Sequence, residues 1–230
     1  MAVRPVFVPK SEKNGVFIEE VEFEWFPGFA TVQKQKSIQS LHENARAKGI
    51  SSILEISSKS INEIGVQLSS FNLSITTEKK SKEITVETAF QSSKVFENGG
   101  PYSDLLNGTS REAKKDPRLK KSGGLSHFKL FGNFFPLKPR TFFYDWLYIN
   151  FLNQNIKLKN SIIEFSGFTD IEFNPEKSIN CQAYSAALFV SLVRNGSLER
   201  ALSSRDSFLE VLENEYSEKD RRYRIQGRLI

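Results

Sequence analysis

Residues 86–97 read VETAFQSSKVFE, and this spacing predicts a helix that stops before NGGP at residues 98–101, a strong helix breaker. On such a helix Glu87, Gln91 and Lys94 stand at i, i+4 and i+7, so they share one stripe. The residues around the stripe are apolar or small and uncharged. Two interpretations are open: the stripe presents an acid, an amide and an amine to a ligand, or it is an ordinary solvated helix face.

Segments on both sides of this helix set the fold class. The clearest buried helix is CQAYSAALFVSLVRN at residues 181–195, which is small or apolar on all but one face and is closed by Gly196. Short strands are predicted at residues 52–57 and 66–75. Further helices are predicted at residues 30–48, 141–151 and 206–216. Helices outnumber strands, so we expect a single helix-rich α+β domain with a few short strands.

Turn-forming residues and changes in composition divide the chain into three parts. The pattern predicts an extended N-terminal segment packed on the domain at residues 1–29, the main domain at residues 30–204, and a C-terminal helix with a basic tail, RRYRIQGRLI, at residues 205–230. Within the domain, residues 99–137 are loop-rich and basic. Such a basic run belongs to a solvated loop or, less commonly, to a phosphate-binding loop. Its cations are Lys114, Lys115, Arg118, Lys120 and Lys121.

Composition excludes several classes of site. The chain has 230 residues, a single cysteine and two histidines. These numbers exclude a disulfide framework within the chain, multi-cysteine zinc or iron–sulfur sites, an HExxH motif and a three-histidine site. The cysteine, Cys181, is interpreted as a small buried residue rather than a nucleophile. We expect no metal and no cofactor.

Charge and hydropathy bear on location and partners. No apolar run is long enough for a signal-peptide core or a membrane span, so we expect a cytoplasmic protein without membrane contact. The 32 Lys and Arg against 27 Asp and Glu give a net charge of +5. That excess suits an anionic partner such as a phosphate compound or nucleic acid, but it also fits a slightly basic surface with no such role.

Further candidate residues lie outside the helix predicted at residues 86–97. Asp170 and Glu172 follow an apolar segment and either face a cleft or form a turn. Lys59 stands among serines in EISSKS, where it binds phosphate or a ribose hydroxyl or is plain surface. Asn180 and Gln182 flank Cys181 at a helix start, where their amides donate to an anion or cap the helix.

These motifs together resemble a known family. ITVETAFQSSKVF at residues 84–96 resembles the VEhxFQxxKF signature of the NADAR superfamily, named for its association with NAD and ADP-ribose. LSSFN at residues 68–72 is similar to its LSNFY element, Asp145-Trp146 to its DW pair, residues 151–155 to its KFxQN stretch, and Asp170 to the aspartate after its lvE segment. The elements occur in family order over about residues 52–193.

Longer stretches resemble one branch of that superfamily, the antitoxins to DarT-type DNA ADP-ribosyltransferases. With them the resemblance runs from about residue 23 to residue 202. They are FEWFPGFATVQKQKSIQSLH, LEISSKS, FQSSKVFENGGPYSDLL, FYDWLYINFL and FTDIEFNPEKSINCQAYSAALFVSLVRNG.

The resemblance implies an enzyme that removes ADP-ribose from guanine bases in DNA by hydrolysing an N-glycosidic bond. Its substrate would be ADP-ribosylated DNA, expected as a single strand, its product ADP-ribose, and its functional partner a cognate DarT-type toxin. Other members of the superfamily cleave N-glycosidic bonds in riboflavin-pathway intermediates. A small-molecule N-glycosidase is therefore one alternative, and a non-enzymatic antitoxin that binds the toxin or the modified DNA is another.

The resemblance also assigns roles to residues. It implies acidic roles for Glu87 and Asp170 and an aromatic role for Trp146. It adds a set of pocket candidates: Ser70, Phe71, Asn72, Gln91 and Lys94. The chain departs from the general family after Asp170, where Ile171-Glu172-Phe173 replaces a usual Trp-Gly pair, so Glu172 shares or takes the role of Asp170 in one interpretation.

Two mechanisms remain open at this point. Cleavage passes through an oxocarbenium-like state, which needs negative charge near the anomeric carbon and a proton for the leaving nitrogen. In one scheme Glu87 stabilises the oxocarbenium-like state or activates water, and Asp170 is the second acid or orients the ribose. Lys94 then holds Glu87 ionised, binds phosphate or protonates the departing base. In the other, Lys94 or Lys59 attacks the opened ribose to form a Schiff base.

Expected substrate contacts complete the prediction. A guanine in single-stranded DNA is expected to stack on an aromatic ring, for which Trp146 and Phe71 are the candidates. The pyrophosphate is expected near Lys59 and the start of the helix at residues 181–195.

Overall fold

The computed structural model describes residues 1–77, 82–175 and 178–226. Helices and short strands alternate along these ranges, and the strands gather into three small sheets. The prediction of a helix-rich α+β domain is therefore confirmed. Within the described ranges, no helix has both the length and the apolar character needed to cross a membrane.

The helices surround and fill the centre of the molecule. In chain order they are α1 (Thr31–Ala47), α2 (Glu63–Gln67), α3 (Val86–Ser92), α4 (Ser110–Lys115), α5 (Arg118–Lys121), α6 (Phe142–Gln154), α7 (Ile156–Ile162), α8 (Gln182–Arg194), α9 (Leu198–Leu202), α10 (Arg205–Val211) and α11 (Glu213–Gln226). A 3-10 turn spans Ser103–Asn107.

The largest sheet has four strands in the order β2-β1-β9-β3. Only its β3–β9 pair is parallel, with Leu54 opposite Phe168. A second sheet pairs β4 with β5, and a third has the order β6-β7-β8. The strands are β1 (Ala2–Pro9), β2 (Val16–Phe23), β3 (Ile53–Glu55), β4 (Ser74–Thr77), β5 (Lys82–Thr85), β6 (Lys94–Phe96), β7 (Leu125–Leu130), β8 (Asn133–Phe135) and β9 (Gly167–Thr169).

The main core is built around α6 and α8. Both helices are apolar on nearly all sides, which is the pattern of helices enclosed by other elements, and their residues from Ala183 to Leu192 and most of those from Phe142 to Leu152 are buried. A smaller core lies between α1 and the β1–β2 hairpin, where Leu41 packs with Phe23. The N-terminal segment thus supplies two strands of the largest sheet, while the division of the chain at residues 29 and 204 stays a prediction.

Three boundary predictions are wrong. Residues 66–73 are not a strand: α2 begins after Asn62, whose side chain accepts a hydrogen bond from the backbone N–H of Ile64, and β4 starts only at Ser74. The helix at residues 86–97 ends at Ser92, because Lys94 to Phe96 pair with β7. The helix at residues 206–216 is two helices, α10 and α11, separated at Leu212.

Two basic segments contain more regular secondary structure than predicted. The loop-rich interval at residues 99–137 contains α4, α5 and the β7–β8 hairpin. Part of the predicted basic tail, residues 221–226, belongs to α11, and its last four residues lie outside the described residues.

Candidate active site

A cleft of about 1210 Å³ opens where four parts of the chain meet. They are α3, α4, the segment between β9 and α8, and residues 57–60 after β3, called here the serine loop. Its walls carry every residue that the resemblance or the local motifs assigned to catalysis or substrate binding, except Trp146. The nominated residues in the cleft are Lys59, Ser70, Phe71, Asn72, Glu87, Gln91, Lys94, Asp170, Glu172, Asn180 and Gln182. Segments separated by more than 100 residues therefore meet at one site.

Glu87 lies in the first turn of α3. Thr85 and Thr88 form a reciprocal capping box that starts the helix directly before it. Its side chain is only 5% exposed and accepts hydrogen bonds from Ser70 Oγ at 3.3 Å and from Gln91 Nε2 at 2.8 Å. Because Glu87 and Gln91 are both buried, the interpretation of this stripe as a solvated face is wrong for these two residues.

Two amide oxygens at the cleft have no partner within the described protein. They are Oε1 of Gln91 and Oδ1 of Asn180, both buried. Buried polar atoms are nearly always hydrogen-bonded in folded proteins. An N–H or O–H group of a bound ligand would supply the missing donor to each oxygen.

Lys94 reaches the cleft from a different element than predicted. It is the first residue of β6 rather than part of α3, so its position at the cleft does not follow from the i+7 spacing of a helix. Its Nζ lies 4.7 Å from the ring centroid of Phe90. Burial lowers the pKa of Lys94, with a further lowering from Lys114 and an opposing contribution from Glu87. The neutral amine is therefore easier to form here than on an exposed lysine.

Asp170 follows β9 and combines the two roles that the sequence left open. Its Oδ1 accepts from the backbone N–H groups of Glu172 at 3.0 Å and Phe173 at 3.2 Å, which makes the turn. The residue also lines the cleft and is half-buried. Burial, followed by the nearby Glu55, raises the pKa of Asp170 well above its usual value. Glu172 is exposed at the cleft rim.

A buried polar network lies behind Asp170. Glu55, at the end of β3, accepts hydrogen bonds from Thr169 Oγ1 at 2.6 Å and from the backbone N–H of Ile171 at 2.9 Å. Thr169 uses its only hydroxyl hydrogen for Glu55, so His42 Nε2 donates to Thr169 Oγ1 across 2.8 Å. Burial raises the pKa of Glu55, and burial followed by the charge of Arg46 lowers the pKa of His42 to about 4.

Gln182 is committed to the protein rather than free for an anion. Its Oε1 accepts from the backbone N–H of Ser70 at 2.7 Å, and its Nε2 donates to the carbonyl oxygen of Ile56 at 2.7 Å. The side chain therefore ties the loop of Ser70 and Phe71 to the serine loop. Asn72, exposed on the same loop, donates to the carbonyl oxygen of Val66.

The family model that matches is that of the DarT1-associated NADAR antitoxin, over residues 2–222. The chain belongs to the DarT1-associated NADAR antitoxin family. Comparison with curated proteins gives no match. The resemblance read from the sequence is confirmed, and with it the antitoxin role and the association with a DarT1 toxin. The coverage of nearly the whole chain includes the N-terminal hairpin and most of α11.

The DW pair of this antitoxin lies behind the cleft. Trp146 is half-buried and packs on Phe135, with ring centroids 5.0 Å apart, so it does not line the cleft. Asp145 is fully buried and accepts from Thr141 Oγ1 at 2.7 Å and Ser185 Oγ at 2.6 Å. In this fold Asp145 joins α6 to α8 through Ser185, and Trp146 packs α6 against β8.

The antitoxin's cleft also contains residues that the sequence did not nominate. Several of them are basic or aromatic: Phe90, Arg111, Lys138, Arg140, Tyr144 and Phe173. The aromatic run at residues 142–151 was a signal for the tyrosine. Of the basic run that the sequence analysis interpreted as a solvated or phosphate-binding loop, Lys114 and Lys115 line the cleft, and Arg118, Lys120 and Lys121 do not. Glu55 was also missed, and its signal was a carboxylate inside the apolar stretch ILEI. Among the described residues, no three His, Cys, Asp or Glu side chains are grouped to hold a metal.

Proposed function

We propose that this antitoxin is an ADP-ribosylglycohydrolase that removes ADP-ribose from guanine bases in DNA and so reverses a DarT-type toxin in the cytoplasm. The observation that carries the proposal is the pair of carboxyl groups in one cationic cleft. Glu87 is buried and held by two neutral donors, and the pKa of Asp170 is raised. Hydrolysis of an N-glycosidic bond uses two carboxyl groups in different protonation states.

In the favoured scheme the two groups divide the work. Glu87 faces the anomeric carbon, stabilises the oxocarbenium-like state and takes a proton from the attacking water. The bond from the anomeric carbon to the guanine nitrogen breaks with its electron pair going to the nitrogen, and the acid form of Asp170 supplies the proton. The water oxygen becomes the anomeric hydroxyl of free ADP-ribose, and the guanine is restored.

A second scheme uses Lys94 as a nucleophile, and its lowered pKa favours it. The neutral amine attacks the anomeric carbon of the opened ribose, guanine leaves with a proton, and the resulting imine is hydrolysed to ADP-ribose and free lysine. Borohydride separates the schemes, because only an imine is reduced to a stable bond between Lys94 and ADP-ribose. Lys59 is the alternative amine, so mapping the labelled residue distinguishes the two lysines.

Substrate contacts follow from the cleft walls. Phe71 is half-buried at the cleft with the Nζ of Lys114 4.9 Å from its ring centroid, so it is the favoured ring for stacking the guanine. The unpartnered oxygens of Gln91 and Asn180 suit N–H groups of guanine or hydroxyl groups of ribose. Lys59 suits a phosphate.

The test is incubation of the purified protein with a single-stranded oligonucleotide that carries ADP-ribose on guanine, beside one modified on thymine. Release from guanine alone, lost in Glu87→Gln, is the expected result. Glu87→Gln keeps the size of the side chain, and its thermal unfolding is compared with that of the wild type.

Other outcomes point elsewhere. No release from either oligonucleotide overturns the proposal and favours a small-molecule N-glycosidase or a binding antitoxin. Protection of cells that survives Glu87→Gln favours an antitoxin that acts by binding alone.

A further inference from the structure

One helix places three cations on the cleft wall. Arg111, Lys114 and Lys115 of α4, called here the α4 cation row, are all exposed and all line the cleft. Within the described part of the chain, no ion pair joins any of the three to a carboxylate. Their charged groups therefore line the cleft without a directly paired carboxylate.

The acids near the row are engaged elsewhere. The carboxylate of Glu112 accepts from the backbone N–H and the hydroxyl of Thr109, both at 2.8 Å, and caps α4. Asp104 and Asp116 both pair with Arg118. The local fold is thus stabilised without the row. Lys114 is also close enough to lower the pKa of Lys94, so like charges are crowded at this wall. Such crowding is unfavourable unless an anion is bound.

The cleft holds more space and charge than ADP-ribose requires. Its volume of about 1210 Å³ exceeds the range of about 300–1,000 Å³ typical of small-ligand pockets. The pyrophosphate of ADP-ribose has one negative charge on each phosphate. Lys59 and Lys138 line the cleft in addition to the row, and they suffice for that group. The α4 cation row is then available to bind phosphates other than this pyrophosphate.

We propose that the α4 cation row binds the phosphodiester backbone of the single DNA strand that flanks the modified guanine. This inference rests on the proposed function, whose substrate is a strand rather than a free nucleoside. Lysine and arginine contacts to phosphates supply affinity that is independent of sequence and falls with salt. The row thus selects a polymer over a small molecule.

The same basic run offers a matched control. Lys120 and Lys121 are also exposed, but they do not line the cleft. The double variants Lys114→Gln/Lys115→Gln and Lys120→Gln/Lys121→Gln remove the same charge. Both are compared with the wild type for binding of an unmodified, fluorescently labelled single-stranded oligonucleotide across a salt series, after thermal unfolding has shown that they fold.

The row variant is expected to bind about tenfold more weakly near physiological salt. The slope of log affinity against log salt should fall in magnitude by about 1.4, since each contact to a single strand contributes about 0.7. The control pair should keep the wild-type affinity and slope. Equal losses in both variants, or no loss in the row variant, would overturn the inference.

The wild-type release assay separates this inference from the proposed function. Binding that depends on the row without release from modified guanine overturns the proposed activity alone. Release from guanine with binding that does not depend on the row overturns only the inference.

Discussion

At the scale of single residues, the carboxyl group of Glu87 is held by neutral donors rather than by a cation. The contact from Gln91 Nε2, at 2.8 Å, is shorter than the one from Ser70 Oγ, at 3.3 Å. A buried carboxylate that lacks an ion pair depends on such donors for its orientation and its charge. In the proposed mechanism Gln91 is thereby both a positioning residue for Glu87 and, through its unpartnered Oε1, a ligand contact.

Gln91→Leu is expected to slow release of ADP-ribose about tenfold to a hundredfold. A hydrogen bond to a charged group is worth about 1.5–3 kcal/mol, and about 1.4 kcal/mol is a factor of ten in rate. The rate is measured on the guanine-modified oligonucleotide. Gln67→Leu is the control, because Gln67 donates to Glu63 at the same i, i+4 spacing on α2, outside the cleft. Equal rates for wild type and Gln91→Leu would contradict the role.

The two mechanisms predict pH profiles of opposite sign. The raised pKa of Asp170 keeps its acid form to higher pH, so release that uses this proton falls as the pH rises through that pKa. The lowered pKa of Lys94 gives free amine at lower pH than usual, so release through an imine increases as the pH rises through that pKa. The measurement is the single-turnover rate against pH.

Matched variants assign each limb of the profile. Asp170→Asn is expected to remove the alkaline fall, and Lys94→Arg, which keeps the charge but forms no imine, to remove the rise. A profile that neither variant changes would rule out both groups as the titrating ones.

The sequence could nominate the site but not its geometry. Glu87 and Gln91 share a helix, so their spacing placed them together correctly. Lys94 reaches the cleft because β6 pairs with β7, which no local spacing shows. Glu55 lies near Asp170 only because β3 pairs in parallel with β9, a strand that stands 114 residues later in the register.

At the scale of elements, the long helices α1, α6 and α8 were predictable, whereas the bounds of the short helices were not. The helices α1, α6 and α8 have 13 or more residues each, so their periodicity shows clearly. The shorter α2 and α3 have 5 and 7 residues. The start of α2 is set by its own cap, Asn62, whereas the end of α3 is set by the pairing of β6 with β7, a contact outside the helix.

The contact of α1 with β9 gives a stability prediction. His42 titrates near pH 6.5 in the unfolded chain and near pH 4 in the fold, so between these values the unfolded state binds more protons. Its contribution is complete above pH 6.5 and is lost as the pH falls toward 4, by about 3 kcal/mol in total. His42→Gln keeps a donor for Thr169 but removes the titration.

The measurement is the free energy of unfolding by urea at several pH values from 7.5 to about 4. The loss of stability on acidification is expected to be smaller in His42→Gln than in the wild type. Equal pH dependence in the two proteins would contradict the buried, neutral state of His42.

At the scale of the whole molecule, α11 connects the two ends of the chain. Glu215 is buried and accepts from the backbone N–H of Val16 at 3.1 Å, from Tyr184 Oη at 2.8 Å and from Lys10 Nζ at 2.8 Å. The β1–β2 hairpin and α8 therefore share one carboxyl group. Because Asp170 follows a strand of the same sheet as the hairpin, the packing of α11 supports the sheet that carries part of the cleft.

A chain that ends at Leu202 is therefore expected to lose cooperative folding, although the sequence suggested only an appended helix and tail. The truncation removes Phe208, Leu212 and Tyr216 from the core. Burial of such side chains is worth about 1.5–3 kcal/mol each, so the loss is comparable with a typical total stability of about 5–15 kcal/mol. Thermal unfolding followed by circular dichroism is the measurement. A chain ending at Gln226 keeps these contacts and should unfold like the full chain, and Phe208→Ala, at a cost of about 3–5 kcal/mol, should lie between the two. A truncated chain with the melting temperature of the full protein would show instead that residues 203–230 are an appendage.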